Sequence, residues 1–207
     1  MKKILCLSLL SLIFVLPVKS QVVFGVRAAG AYSSMIQKVD EVARSGAHFG
    51  YGAAGILEIP LRKRFLLRPE IIFLNQGGRF YAPKGEDLLV PFDCNYYSVQ
   101  IPANVQFVFT SPEIMFSVYG GPYIDMSLWG RMKENGEGHT ISFGGSARND
   151  LKRFDLGVNL GLGVEYNRFF FSVQAFCGTL NRNAGHMVGG NSVYQSNVAF
   201  SLGYMFR

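Results

Sequence analysis

Between Arg153 and Asn167 the chain reads R-F-D-L-G-V-N-L-G-L-G-V-E-Y-N. Its even positions are Phe154, Leu156, Val158, Leu160, Leu162, Val164 and Tyr166; its odd positions are Asp155, Gly157, Asn159, Gly161, Gly163, Glu165 and Asn167. An unbroken period of two is the signature of a β-strand, because successive side chains point to opposite faces. One face is apolar for longer than an ordinary strand needs, while the other carries glycines and acids. A strand that is dry on one side and ion-paired or hydrated on the other suits the wall of a membrane barrel.

The N-terminus supports export. Met1-Lys2-Lys3 precedes the uncharged apolar run Ile4 to Leu16, followed by Pro17-Val18-Lys19-Ser20. A basic head, an apolar stretch shorter than the ~20 residues that span a bilayer, and small residues at Val18 and Ser20 predict a signal peptide over 1–20, cleaved after Ser20. Cys6 lies inside the apolar run, which argues against a lipoprotein anchor. Residues 21–207 are then one barrel domain. Losing Lys2, Lys3 and Lys19 and no acid takes the formal charge of +6 down by 3 to +3. The remaining cations alternate with acids, which excludes a nucleic-acid patch. Hydrophobic content of 49% with no membrane-helix segment after residue 20, 24 glycines and 14% aromatic residues fit a barrel. Cys94 and Cys177 fall on strands that are not expected to be neighbours, so both are expected to be free, and no Cys/His spacing suggests a metal site.

Seven further segments alternate in the same way: 22–32, 49–59, 64–75, 96–109, 114–128, 169–178 and 193–206. Loops are expected at 33–46, 76–93, 129–152 and 179–192, and tight turns near 60–63, 110–113 and 167–168. Eight strands with connections alternating long and short put both ends on the side of the short turns. The expected fold is all-β: an eight-stranded antiparallel transmembrane up-and-down β-barrel with a plugged polar interior.

The polar face fixes which side is inside. Apolar rows end in Tyr32, Tyr51, Tyr97 and Tyr194 on the loop side. On the turn side they end in Phe65, Phe109, Tyr166, Phe169 and Phe206, which makes two interfacial girdles. The opposite face collects Arg27, Glu58, Arg68, Glu70, Asp125, Asp155 and Glu165. Eight strands leave a lumen only wide enough for side chains to fill. Those seven residues are therefore the candidate interior network, with Arg27 and Arg68 pairing some of the five acids. The inward glycines make room for them and for Tyr119 and Tyr123. The rival reading is a narrow proton or ion path.

With these residues in view, the chain resembles the outer-membrane β-barrel family that includes PorT-like and small "porin family" proteins. The resemblance is carried in order by Gly25–Gly30, Leu57-Glu58-Ile59-Pro60, Leu67-Arg68-Pro69-Glu70 and Tyr97–Pro102. It continues through Tyr119-Gly120-Gly121-Pro122-Tyr123, Asp155–Glu165 and Leu202-Gly203-Tyr204-Met205-Phe206. One departure from the usual barrel signal is Arg207 after the final aromatic. The resemblance implies an outer-membrane barrel and transfers no catalytic residue.

Function is less legible. His48, His139 and His186 are expected on three loops at the outer mouth. With Asp125, Ser142 and Asp150 they suggest a hydrolytic site, but no spacing pins them together, and exposed loop histidines are the preferred reading. Gly157, Gly161 and Gly163 lie at strand spacing with no following helix, which rules out a dinucleotide fingerprint. The expectation is a non-enzymatic outer-membrane protein with no cofactor, acting through its external loops. The alternatives are an accessory role in secretion across the outer membrane, implied by the PorT resemblance, and a narrow small-solute porin. Expected partners are outer-membrane lipid, the barrel-assembly machinery during biogenesis, and a surface or secretion partner at loops 76–93 and 129–152.

Overall fold

The computed structural model describes residues 22–39, 42–44, 46–83, 89–110, 113–134, 137–185 and 192–207. The expected signal peptide over 1–20 lies outside them. The strands are β1 (Val23–Val39), β2 (Val42–Arg44), β3 (Ala47–Arg62), β4 (Phe65–Pro83), β5 (Leu89–Thr110), β6 (Ile114–Glu134), β7 (Glu137–Thr140), β8 (Phe154–Tyr166), β9 (Phe169–Gly178) and β10 (Ser192–Phe206). Eight of them form the wall in the order β1-β3-β4-β5-β6-β8-β9-β10, and β10 returns to β1 from Phe24↔Phe206 to Lys38↔Ser192. All pairings between these strands are antiparallel and the barrel is closed, so no wall strand offers a free edge to lipid. The short strands β2 and β7 pair with the outer ends of β1 and β6.

Along β8 the outward side chains from Phe154 to Tyr166 are exposed and the inward ones from Asp155 to Gly163 are buried, with Glu165 half-buried at the inner rim. The same alternation on the other strands buries Arg27, Glu58, Arg68, Glu70, Gln100 and Asn104 while exposing Phe24, Val26, Ile71, Ile101, Val105 and Leu202. A soluble barrel would show the opposite polarity. From Tyr97 in the outer girdle to Phe109 in the inner one, β5 advances twelve residue steps. At about 3.3 Å per residue and a tilt near 40°, that is a band about 30 Å tall, sufficient for an outer-membrane hydrocarbon layer.

Small inward residues give the lumen its room. A Cβ added to Gly157 would run into the Tyr123 ring, and one on Gly161 into the Tyr119 ring. The β8–β9 hairpin turns on Asn167 (φ 47°) and Arg168 (φ 73°), two left-handed residues as a type I′ turn requires.

The strands run further than the sequence suggests, and three expected loops are corrected. Over 33–46, β1 continues to Val39 and turns back into β2. Over 76–93, β4 and β5 form a hairpin paired as far as Pro83↔Leu89. Over 129–152, β6 continues to Glu134 and pairs with β7, and only then does the chain leave the sheet. The physical reason is a change of solvent. Above the girdle the outside is water, so Arg79, Asp93, Asn95, Arg131 and Lys133 face out, and Met35, Cys94, Tyr96 and Met132 face in. The alternation persists but its polarity inverts. With Phe92, Ile141, Phe143, Leu151 and Val193, the four inward residues make an apolar core above the membrane.

Candidate functional site: a plugged polar lumen

The inward face of β4 samples the lumen from the inner end outward: Arg68, Glu70, Ile72, Leu74, Gln76. The structure divides in the same order into ionic, apolar and polar layers.

The ionic layer begins at the C-terminus. Arg207 reaches Glu58 at 2.6 Å and Glu165 at 2.8 Å. Glu58 also lies 3.8 Å from Arg68, whose Nε donates to Glu70 Oε1 at 2.9 Å. Glu70 in turn pairs with Arg27 at 2.7 Å. Arg27 donates to Ser201 Oγ (2.6 Å) and Gln174 Oε1 (2.9 Å), and Gln174 donates to Asn159 Oδ1 (2.8 Å). The Arg68 guanidinium lies over the Tyr119 ring at 4.7 Å and the Phe170 ring at 5.0 Å. A buried charge is tolerated when it is paired and its remaining bonds are met. Alternating Arg and Glu along this row supplies the pairing, while Arg27 Nε and Arg68 Nη2 have no hydrogen-bond partner among the described residues.

Above it lies an apolar waist of Ala31, Ala54, Ile72, Leu74, Tyr123, Phe176 and Ala199, with Tyr123 edge-on to Phe176 at 5.2 Å. The second polar layer follows. Gln76 donates to Ser98 Oγ (2.8 Å) and to Asp125 Oδ2 (2.7 Å). Asp125 faces Arg182 at 3.7 Å, and Arg182 donates to Ser127 Oγ at 2.6 Å and lies over Tyr96 at 5.5 Å. The Leu180 N–H donates to Asp155 Oδ1 at 3.1 Å. Arg182 comes from the segment after β9 and is fully buried. Its own N–H bonds Val193 (2.7 Å) and its carbonyl accepts from Lys152 (2.8 Å), so the backbone holds the plug in place.

Of the seven predicted interior residues, Arg27, Glu58, Arg68 and Glu70 thus share one connected row. Glu165 sits at its inner rim on Arg207. Asp125 and Asp155 lie in the separate upper layer. Arg27 and Arg68 therefore do not serve all five acids, and sequence reasoning missed Arg182 and Arg207. Charge balance was the available signal: five acids against two arginines leave three uncompensated negatives in a poorly solvated lumen, which calls for cations from loops or terminus.

The suspected hydrolytic set is not assembled. His48 is on β3, where its Nε2 shares a hydrogen bond with Asn75 Oδ1 (2.9 Å); His139 is on β7, and the wall strands β4, β5 and β6 lie between β3 and β7. Ser142 and Asp150 bond each other's backbone within one turn, and His186 lies outside the described residues. Among the described residues no group of three His, Cys, Asp or Glu side chains is placed to hold a metal. Cys94 is buried and Cys177 exposed, both free.

A closed eight-stranded wall, apolar towards lipid and filled inside by polar side chains, defines the class of small outer-membrane barrels. The family model described as "Outer membrane protein beta-barrel domain" matches residues 18–178, and the chain belongs to that family. Among solved structures it is similar to Neisserial surface protein A, at 10% identity over 89% of this chain and 99% of that one, with a TM-score of 0.52. Ail of Yersinia pestis matches at 14% identity over 89% and 99%, TM-score 0.43. The N-terminal barrel domain of Pseudomonas aeruginosa OprF matches at 10% over 89% and 100%, TM-score 0.33. No curated protein matches the chain by sequence. At 10% identity the likeness to Neisserial surface protein A extends to the fold and no further.

Proposed function

We propose that this protein is a non-conducting, non-enzymatic barrel, delivered to the outer membrane after cleavage behind Ser20. Its work is to hold a stiff β-structured platform above the outer leaflet. The observation that carries this reading is the waist. Ile72, Leu74, Tyr123 and Phe176 cluster between the two hydrogen-bonded polar layers, and apolar side chains are a poor path for an ion. What remains available for function is the ridge formed by β4, β5 and β6. From Tyr97 back to Leu89, β5 rises about 20 Å past the girdle at ordinary strand rise and tilt. Paired strands present contacts with less ordering cost than free loops. A partner on the cell surface or in the secretion apparatus would meet this ridge first.

Two measurements test the reading. The purified mature protein in planar bilayers is expected to give no discrete conductance steps; steady ion-selective steps would replace it with the porin reading. A variant with Arg79–Asp93 shortened to a two-residue turn is expected to keep heat-modifiable migration. The same variant should lose whatever surface or secretion phenotype the intact gene complements. Full complementation by it would overturn the platform.

A further inference from the structure

On the outside of the ridge four rings stand at the outer edge of the lipid band: Tyr51, Phe73, Tyr97 and Trp129. Tyr97 stacks on Phe73 with centroids 5.5 Å apart, and Trp129 lies 5.3 Å from Tyr97. The Tyr51 and Tyr97 hydroxyls hydrogen-bond at 2.9 Å. A bulge puts Trp129 on this face: Ser98 pairs with Ser127 and Tyr97 with Trp129, leaving Leu128 unpaired. The phase it sets then carries Arg131 and Lys133 outward, directly above the rings.

Those two cations line a groove of about 670 Å³ together with Asp93, Asn95, Tyr97, Trp129, Gly130 and Thr140. Asp93 is the register neighbour of Lys133, yet Arg79 takes both its oxygens, at 2.6 and 3.1 Å. Hydrogen bonding to Asp93, then its charge, raises the Arg79 pKa above its ordinary value. Among the described residues no carboxylate pairs with Arg131 or Lys133. Three cations against one acid leave the strip at +2, over a floor of aromatic rings.

Height decides what such a strip can meet. Arg131 and Lys133 lie two and four residues past Trp129, about 5 and 10 Å higher at ordinary strand rise and tilt. Girdle rings sit at the headgroup boundary, so the cations stand in the headgroup layer itself. An occupant must therefore be amphipathic, with acyl chains against the wall below the rings and negative charge above them. We propose that this groove binds the phosphate-bearing headgroup of an outer-leaflet lipid. Arg131 and Lys133 engage the phosphate and Trp129 with Tyr97 packs on its apolar root. Arg131 supplies the planar fork that suits phosphate, and Lys133 a point charge. Phosphate chemistry alone would also admit a free anion; the aromatic floor and its depth favour the lipid.

The test uses the full mature barrel in phosphatidylcholine nanodiscs containing either monophosphoryl lipid A or its dephosphorylated form. Co-purifying lipid is counted by native mass spectrometry after detergent exchange. Wild type is expected to retain the phosphorylated form and not the dephosphorylated one. Arg131→Gln with Lys133→Gln is expected to weaken retention about twenty-fold, taking a few-fold for each cation near an anionic surface. Arg62→Gln with Arg64→Gln, at the opposite end, removes the same charge and should change nothing. Equal retention of both lipids, undiminished retention by the first double variant, or an equal loss in the second would overturn the site. So would displacement of the lipid by inorganic phosphate at matching concentration, which would reassign the groove to free anions. Heat-modifiable migration checks that every variant is folded.

Discussion

Arg182→Met keeps much of the side-chain volume in the lumen and removes the charge. At 3.7 Å and an effective dielectric near 20, the attraction between Arg182 and Asp125 is about 4.5 kcal/mol before desolvation is counted. The substitution also removes the charged donor to Ser127 and the cation above Tyr96. It leaves Asp125 buried with its hydrogen bond from Gln76 and no counter-charge. Breaking a buried pair from one side typically costs about 3–5 kcal/mol, and that is the expected loss here. The assay is urea unfolding of the refolded barrel in lipid, read by the fluorescence of Trp129, the only tryptophan in the chain. Adding Asp125→Asn to Arg182→Met should recover most of the loss, because the stranded charge is then gone. A single-variant loss below about 1 kcal/mol would refute the reasoning. So would a double variant no more stable than Arg182→Met alone.

Gly161→Ala drives a Cβ into the Tyr119 ring and should cost about 1–3 kcal/mol in the same titration. Gly55→Ala, where nothing lies within 4 Å, should be neutral or stabilising; equal losses at the two sites would sink the packing account. Arg168→Gly relieves a left-handed residue at φ 73° while keeping the backbone bond from Met205 N–H to its carbonyl (2.8 Å), so the unfolding midpoint should rise by about 1 kcal/mol equivalent. A membrane-permeant maleimide should label Cys177 and spare Cys94. Burial pushes the Cys94 thiol well above its ordinary pKa and removes it from reagent, so the reactive thiolate is scarce at neutral pH. Intact-protein mass after labelling decides this: one adduct that moves with Cys177→Ser agrees, two adducts do not.

The lipid-facing half of the barrel was legible because one solvent, hydrocarbon, imposes one rule along each strand. Arg153–Asn167 could be assigned a face residue by residue, down to the glycines that admit Tyr119 and Tyr123. The platform was not legible for the complementary reason. Past Tyr97 and Trp129 the outer face turns polar and the inner face apolar, so a reader following the apolar row sees it stop and infers a loop. Met132 and Tyr96 keep the period of two with the sign reversed, and the bulge at Leu128 shifts the phase just where the sign changes. Interior pairing was half visible. Arg27 and Arg68 stand on clean strands, whereas Arg182 sits in a segment with no period and Arg207 reads as a tail. Only the excess of inward acids hinted that such residues were needed.

The inversion of polarity at the girdle also divides the molecule thermally. Below it, the outward side chains pass from lipid to lipid-like surroundings on unfolding in a membrane, and hydrophobic hydration contributes little. Above it, Met35, Phe92, Tyr96, Met132, Phe143 and Leu151 are held together by exclusion of water, an interaction that weakens on cooling. The cap over the lumen should therefore be the cold-sensitive storey and the wall beneath it indifferent. In the cold the platform would loosen while the hydrogen-bonded wall in the lipid stayed closed.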